Sequence, residues 1–172
     1  HVRPVLNLRL EHDVRAMRFE ERRGPATDRD LAWWTGLTLT DVRAAIADVA
    51  SEFETLEFDG TTYLHRPGLA EAAAGVHALP GFDEYLLGYT DRGAQLAGRP
   101  LTDVVPGGNG MFLATIVVDG RVVGTWRRTI TAKGVTIAVT PFGELTARAR
   151  KGFAAAAERY AAYLERPLLS ID

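Results

Sequence analysis

The sequence of 172 residues predicts an α+β fold, and three observations lead to this prediction. Two helix-start signals are followed by an Asp-Gly pair between two alternating segments, all within residues 24–66. From Met111 to Thr140 apolar residues recur at every second position, which is typical of β-strands. Over residues 144–165 the apolar spacing changes to about 3.6 residues, which predicts a long final helix.

The first segment, residues 1–23, predicts a short strand and a helix. Leucines alternate with polar residues from Leu6 to Leu10, and Asp13 is in position to cap a helix. Because the chain begins with His1 rather than Met, we expect a fragment whose N-terminal half is absent. Residues 1–23 would then lead in from that half, which is an expected partner of this chain.

Residues 24–68 have the order helix, turn, helix and hairpin. Thr27 precedes the first helix, which we expect to end at Gly36, and the second helix is expected to start after Thr40. The pair Asp59-Gly60 between alternating segments is a strong hairpin signal. This order predicts a winged helix-turn-helix.

Residues 69–172 predict a small antiparallel sheet or partial barrel that is followed by a long C-terminal helix. Residues 82–90 have helical spacing, and residues 93–110, rich in Gly and Pro, predict a long loop. Tight turns are expected at Asp119-Gly120 and Lys133-Gly134. The strands and the last helix are expected at Met111–Val118, Arg121–Thr131, Val135–Thr140 and residues 144–165.

The composition excludes several classes of site. The sequence has no cysteine, so it contains no disulfide, thiol nucleophile or cysteine-ligated metal. The four histidines have no metal-ligand spacing. The adjacent carboxylates Asp83 and Glu84 point in different directions on a helix, where we expect caps and salt bridges. We therefore assign no catalytic residue, no metal and no cofactor. With no long apolar run, the sequence predicts a cytoplasmic protein without a membrane partner.

Charge is unevenly distributed along the chain. Residues 24–66 hold 3 basic and 8 acidic residues, whereas residues 121–151 hold 7 basic residues and 1 acidic residue. Because DNA is a polyanion, the second stretch is the better candidate for binding phosphates, and a solvated charged face is an equal alternative. The predicted DNA-binding residues are Arg121, Arg127, Arg128, Lys133, Arg148 and Lys151.

The strand that starts at Arg121 carries the most informative of these residues. Simple alternation places Arg121 and Arg127 on one face of this strand, and Trp126 and Arg128 on the other. Arg127 lies between threonines, as on a solvated face that binds phosphate oxygens. Since Arg128 is an awkward neighbour for a core tryptophan, we expect it at a strand end, at a bulge or in a cleft.

The winged helix itself is the alternative DNA-binding surface. Such a motif would place Arg43 in the major groove and use Thr61 and Thr62 on the wing. Its second helix, however, carries one arginine and three acids, so a phosphate backbone would be repelled. We therefore favour a structural role for this motif.

Several motifs, in order along the chain, resemble those of one bacterial family. They are Gly24-Pro25-Ala26-Thr27, Asp30-Leu31-Ala32-Trp33-Trp34, Leu79–Arg92, Asn109-Gly110-Met111-Phe112 and Val118–Arg128. Together they resemble the winged-helix DNA-binding family that includes the DNA glycosylases that unhook interstrand crosslinks, of the AlkZ/YcaQ type. The resemblance covers roughly residues 24–165.

This resemblance implies tandem winged helices followed by a β-barrel-like domain, and the chain is similar to the C-terminal half. It also implies DNA repair by hydrolysis of N-glycosidic bonds without a metal, through a Gln-hydrophobic-Gln or Gln-hydrophobic-Asp motif near the N-terminus of the family proteins. The single glutamine here, Gln95, has no partner two residues away, so no catalytic residue is carried over. We expect this chain alone to be inactive, and whether the intact protein is a glycosylase stays open.

The favoured hypothesis is that the chain binds double-stranded DNA through phosphates as part of a repair protein. Two alternatives remain. One is a non-enzymatic winged-helix transcriptional regulator that reads sequence with Arg43 and the wing. The other is an assembly module that does not contact DNA.

Overall fold

The computed structural model describes residues 25–68 and 74–172, which form five helices and seven strands. The strand and helix predicted within residues 1–23 lie outside the described residues. The chain divides into two compact units. The described part of the first unit is residues 25–68 together with 87–91, and that of the second is residues 74–86 together with 92–172.

The first unit begins with two short helices, α1 (Asp28–Thr35) and α2 (Leu39–Asp48). The predicted cap of α1 is confirmed, because the Thr27 side chain accepts a hydrogen bond from the backbone N–H of Asp30, and Gly36 ends the helix in the left-handed conformation. The predicted start of α2 behind Thr40 is wrong. Thr38 caps this helix instead, since its hydroxyl accepts from the backbone N–H of Asp41.

A single helical turn (Ala50–Glu52) leads from α2 into the hairpin of β1 (Glu54–Phe58) and β2 (Thr61–His65). The predicted tight turn is confirmed, because Asp59 and Gly60 both have positive φ angles, as a type I′ turn requires. Ala26 pairs with Leu64 beside the hairpin. The core of this unit is formed by Ala26, Leu31 and Val42.

The second unit is built on a five-stranded sheet with the order β3-β4-β5-β6-β7. All neighbours are antiparallel except β6 and β7, which are parallel, so the prediction of a wholly antiparallel sheet is wrong for this pair. Parallel neighbours need a crossover connection, and helix α5 supplies it. The strands are β3 (Val76–Leu79), β4 (Ala114–Val118), β5 (Arg121–Thr131), β6 (Gly134–Pro141) and β7 (Leu168–Ile171), and α5 is Ala147–Tyr163.

The segment between β3 and β4 differs from the sequence prediction. The helix predicted over residues 82–90 is only one turn, α3 (Glu84–Leu87), and residues 93–110 are not an open loop. They contain α4 (Gly93–Leu96) and two short 3₁₀ turns, Leu101–Asp103 and Pro106–Gly108. Buried Val104 and Val105 hold this segment against the sheet, packing with Val117 and Val122.

Helix α5 covers the opposite face of the sheet, where it packs Phe153, Ala157 and Ala161 against Ile116, Trp126, Val135 and Ile137. Gly152 permits its close approach to the edge strand. A Cβ atom at Gly152 would lie 2.6 Å from the Cβ atom of Val76, closer than any real contact. Within the described ranges, no helix combines the length and apolar character that a membrane crossing needs.

Candidate nucleic-acid interface

All six predicted phosphate-binding residues are exposed in the second unit, and the structure separates them along β5. Arg121 starts this strand, opposite Val118, whereas Arg127 follows Trp126 six residues later. At about 3.3 Å per residue these two arginines lie roughly 20 Å apart along the strand. The six residues therefore form two groups at opposite ends of the sheet rather than one cluster.

A β-bulge changes the face on which Arg121 lies. Ile116 is opposite Gly124, but the next residue, Val117, is opposite Val122, so one residue of β5 has no partner. Residues directly opposite each other in an antiparallel pair point to the same face. Arg121, opposite Val118, therefore lies on the α5 face, and the prediction that it shares a face with Arg127 is wrong. Simple alternation of side chains between the two faces predicts the wrong face for Arg121, because the extra residue of a bulge reverses the alternation.

The first group consists of Arg127, Arg128 and Lys133, on the outer part of the β5–β6 hairpin. Strand β4 begins opposite Trp126, so beyond that residue β6 is the one strand among the described residues that pairs with β5. We call residues 127–138 the outer hairpin. No carboxylate in the described parts of the chain forms an ion pair with Arg127, Arg128 or Lys133.

The turn of the outer hairpin is fixed by hydrogen bonds. The hydroxyl of Thr131 accepts from the backbone N–H of Lys133 and donates to the carbonyl of Gly134, each over 3.2 Å. From outside the hairpin, Arg166 donates through Nη1 to the carbonyl of Thr131 over 2.9 Å. Lys133 is thus presented at the end of a rigid turn, with its ammonium group in solvent.

Arg127 and Arg128 point to opposite faces of the sheet. Arg128 shares the face of Trp126 and α5, and its guanidinium carbon lies 5.7 Å from the centre of the Tyr160 ring. Arg128 is the eighth of the 11 residues of β5 and lies opposite Ile137, so the expected positions at a strand end or at a bulge are wrong. Arg127 points away from α5, between Thr125 and Thr129 on the same face. The two arginines therefore present their charges to different sides.

The second group includes Arg121, Arg148 and Lys151, near the start of α5. Arg148 donates two hydrogen bonds to the carboxylate of Asp119, over 2.6 and 2.9 Å. Chiefly through this hydrogen bonding, Arg148 holds the pKa of Asp119 below its ordinary value. Arg148 is thus already matched by an anion, whereas no such partner among the described residues is found for Arg121 or Lys151.

Two members of the alternative set in the first unit, Arg43 and Thr62, form hydrogen bonds within the protein. Arg43 donates through Nε to Asp28 over 2.7 Å, and the hydroxyl of Thr62 donates to Glu57. Thr61 and Thr62 line an open groove of about 580 Å³, in which three acids, Asp28, Asp30 and Asp91, outnumber the single arginine, Arg29. Burial, together with the negative charges of Asp91, Asp30 and Asp59, raises the pKa of Tyr63 beside it. This electronegative surface is unsuited to phosphate.

The remaining candidates for chemistry act structurally. Asp83 accepts a hydrogen bond from the backbone N–H of Tyr85 over 2.9 Å, as expected for a cap. Over the described ranges, no three metal-ligating side chains converge. Sequence reasoning did not single out Arg159, which lines a cavity of about 230 Å³ between α5 and the sheet. Arg159 follows Arg148 by 11 residues, a spacing that places both on nearly the same face of a helix. This spacing is the signal in the sequence that could have identified Arg159.

Comparison with known proteins gives a consistent family result. The family model described as DNA glycosylase AlkZ-like matches residues 15–163. The interstrand DNA cross-link repair glycosylase of Streptomyces sahachiroi is 30% identical in an alignment of 128 residues, which covers 69% of this chain and 33% of that protein. The structure of the Streptomyces sahachiroi DNA glycosylase AlkZ matches with a TM-score of 0.70 and 25% identity, over 90% of this chain and 43% of that one. The chain thus spans about a third of the length of the curated relative it matches.

Proposed function

Because this chain belongs to the AlkZ-like DNA glycosylase family, we propose that it binds double-stranded DNA as the C-terminal part of a DNA repair glycosylase. The curated relative and the solved structure from Streptomyces sahachiroi are both named as DNA glycosylases. The catalytic Gln-hydrophobic-Gln motif that the sequence resemblance implies would lie outside this chain, since Gln95 stands alone. The function of the chain is then to hold DNA rather than to hydrolyse it.

The outer hairpin is the observation that carries this proposal. Arg127, Arg128 and Lys133 are exposed on the outer part of the β5–β6 hairpin, where β5 becomes an edge strand because β4 has ended while β7 pairs with β6. They have no ion-pair partner among the described residues. Charged side chains that only stabilise the fold normally form ion pairs or lie in solvent on a surface of mixed charge. Contacts to phosphate, in contrast, need cations that no carboxylate of the protein neutralises. Thr129 and Thr136, opposite each other in the hairpin, add hydroxyl groups beside Arg127.

On the α5 face of the sheet, the second group extends the surface formed by Arg128, because Arg121 lies on the same face as Arg128. From Arg121 to Thr131, β5 is about 33 Å long, close to the length of ten base pairs of duplex. Cationic side chains lie at both ends of β5, including Arg148 and Lys151 on α5. Their separation therefore fits a binding site for a DNA duplex better than a site for a single phosphate. Asp119 reduces the contribution of Arg148, so we assign the larger share of the affinity to the outer hairpin.

We assign residues 24–68 to a winged helix-turn-helix and residues 69–172 to a separate β-barrel-like domain with its C-terminal helix. The order α1, α2 and β1–β2 hairpin supports the first assignment. In this proposal the winged helix has a structural role, because Asp28 neutralises Arg43 and the wing threonines lie in an acidic groove.

The test is a pair of charge variants in this chain, with duplex affinity measured as a function of salt. The hairpin variant carries Arg127→Glu, Arg128→Glu and Lys133→Glu, and the matched variant carries Arg43→Glu with Thr61→Ala and Thr62→Ala. Loss of three phosphate contacts lowers the slope of log affinity against log salt by about 2.7. We expect this loss in the hairpin variant alone. Loss confined to the Arg43 variant would support the transcriptional regulator, and loss in neither would support the assembly module.

A further inference from the structure

Phe82 has an unusual backbone conformation for its size. Its φ angle is +59°, in the left-handed region that bulky residues rarely adopt. The other described residues with positive φ, apart from glycines, have local reasons: Asp59 and Asp119 lie in hairpin turns, and Ala97 and Glu165 follow helices. Phe82 lies in neither setting, and 48% of it is exposed to solvent. Strain of this kind persists only where the surrounding structure imposes it.

The neighbours of Phe82 impose this conformation. Gly81 lies so close to the start of β4 that a Cβ atom there would be 2.8 Å from the carbonyl oxygen of Phe112. On the other side, the turn is held by the hydrogen bond from Tyr85 to Asp83 and by a second one, from the Tyr85 hydroxyl to the carbonyl of Gly120. The phenyl ring is therefore held outward by a rigid turn rather than by core packing.

The outward ring belongs to an exposed aromatic surface. Phe82 contacts Phe112 with 6.4 Å between ring centres, and the guanidinium carbon of Arg92 lies 5.4 Å from the centre of the Phe112 ring. Met111, which precedes Phe112, is 54% exposed. We call Phe82, Met111, Phe112 and Arg92 the Phe82 surface. Apolar rings beside an arginine are the combination with which proteins stack on unpaired bases.

The Phe82 surface lies next to the outer hairpin. Leu79 is opposite Thr115 and Ala114 is opposite Trp126, so Phe82 and Phe112 lie beyond the ends of β3 and β4 that are next to Arg127 in β5. Phe112 packs on the cluster that contains Val122, which is the face of Arg127 and not of Arg128. From strand spacings, the Cα atoms of Arg127 and Phe112 are within roughly 15 Å, or about four base-pair steps.

We propose that Phe82 is an apolar wedge that stacks on an unpaired base in the DNA held by the outer hairpin. This proposal rests on the proposed function, because it needs a bound duplex. A wedge of this kind acts where base pairing is already weakened, since unstacking an intact pair costs several kcal/mol. The chemical class of the preferred ligand is therefore a duplex with an unpaired or mismatched base.

The test uses this chain with two duplexes, one fully paired and one with a 2-aminopurine opposite an abasic site. We expect tighter binding to the second duplex and a change in 2-aminopurine fluorescence on binding. Phe82→Gly removes the ring and relieves the strained φ angle, so the fold should be kept. We expect it to weaken binding to the abasic duplex roughly 5- to 100-fold with little effect on the paired duplex. Phe82→Trp should restore the preference.

The matched control is Tyr163→Ala, which removes another exposed aromatic ring from the same unit. It should change neither affinity. If Phe82→Gly fails to fold, Phe82→Leu replaces it, since a leucine keeps packing on Phe112 but cannot stack as an aromatic ring. An unchanged preference for the abasic duplex in Phe82→Gly or Phe82→Leu would overturn the wedge, as would a changed oligomeric state with unchanged DNA binding. If the wild-type chain binds neither duplex, the proposed function is wrong. If DNA affinity is lost in the outer hairpin variant but not in the Phe82 variants, only the wedge is rejected.

Discussion

Asp30 provides a sharp test of how the first unit is held together. Its side chain is only 3% exposed, and its two carboxylate oxygens accept four hydrogen bonds. One oxygen accepts from the backbone N–H and hydroxyl of Thr27, and the other from the backbone N–H and hydroxyl of Thr90, 60 residues away. Asp30→Ala leaves these donors without their acceptor. Thr90 is exposed, so water replaces the lost acceptor there, whereas Thr27 is half-buried. At about 1–1.5 kcal/mol for each of the two Thr27 donors left unsatisfied, we expect a loss of about 2–3 kcal/mol.

The assay is urea unfolding followed through the backbone amide signals of α1, which report on the first unit specifically. With an m value of about 1 kcal/mol/M, the unfolding midpoint should fall by about 2–3 M. Asp41→Ala is the matched control, because Asp41 also lies three residues after a capping threonine but bonds to Thr38 alone, on an exposed surface. We expect about 0.5 kcal/mol there. Equal losses in the two variants would refute the reasoning, since local capping would then account for Asp30 entirely.

Two further predictions concern the second unit. Gly152→Ala should destabilise it by about 1–3 kcal/mol in urea unfolding despite the better helix propensity of alanine, because the new Cβ atom meets Val76 at 2.6 Å. Gly143→Ala, with nothing within 4 Å, is its control and should be nearly neutral. The pKa of Asp119 is lowered in the folded state, so its pairing with Arg148 stabilises the fold above the ordinary pKa, near 4, and this contribution disappears as the pH falls through the lowered value. Arg148→Gln should therefore raise the pKa of Asp119 in an NMR titration, and its stability deficit should vanish in acid; a deficit that persists there would contradict the ion pair.

Local signals in the sequence were sufficient for the elements they specify. Thr27 with Asp30 defined the start of α1, and the pair Asp59-Gly60 defined the hairpin, because caps and tight turns depend on a few adjacent residues. The start of α2 was misplaced by two residues because Thr38 and Thr40 are both acceptable caps. The choice between them depends on Asp41, whose backbone N–H and carboxylate both bond to Thr38.

Features that depend on residues far apart in the sequence could not be predicted from such local signals. β3 and β7 have four residues each and lie at the sheet edges, where pairing with β4 and β6 rather than composition makes them strands. The bulge that moves Arg121 to the α5 face is a matter of register between two strands. The ion pair of Arg148 joins residues 29 positions apart. The candidate cationic residues could therefore be identified from the sequence. Their division into two groups on two faces of the sheet could not be predicted.

The position of positive charge in α5 bears on why these cations are present at all. Arg148 lies in the first turn of this helix, where the helix dipole disfavours a cation by about 0.3–1 kcal/mol. Arg150 and Lys151 are the fourth and fifth residues of the helix, where this cost is smaller. Asp119 offsets this cost for Arg148, and Arg150 donates to the carbonyl of Leu145, but Lys151 has no such partner among the described residues. In the first unit, the first turns of α1 and α2 carry Asp28, Asp30 and Asp41, as folding alone favours. The helix of the second unit thus keeps an arrangement that costs stability, and the proposed binding of a polyanion supplies a reason for it.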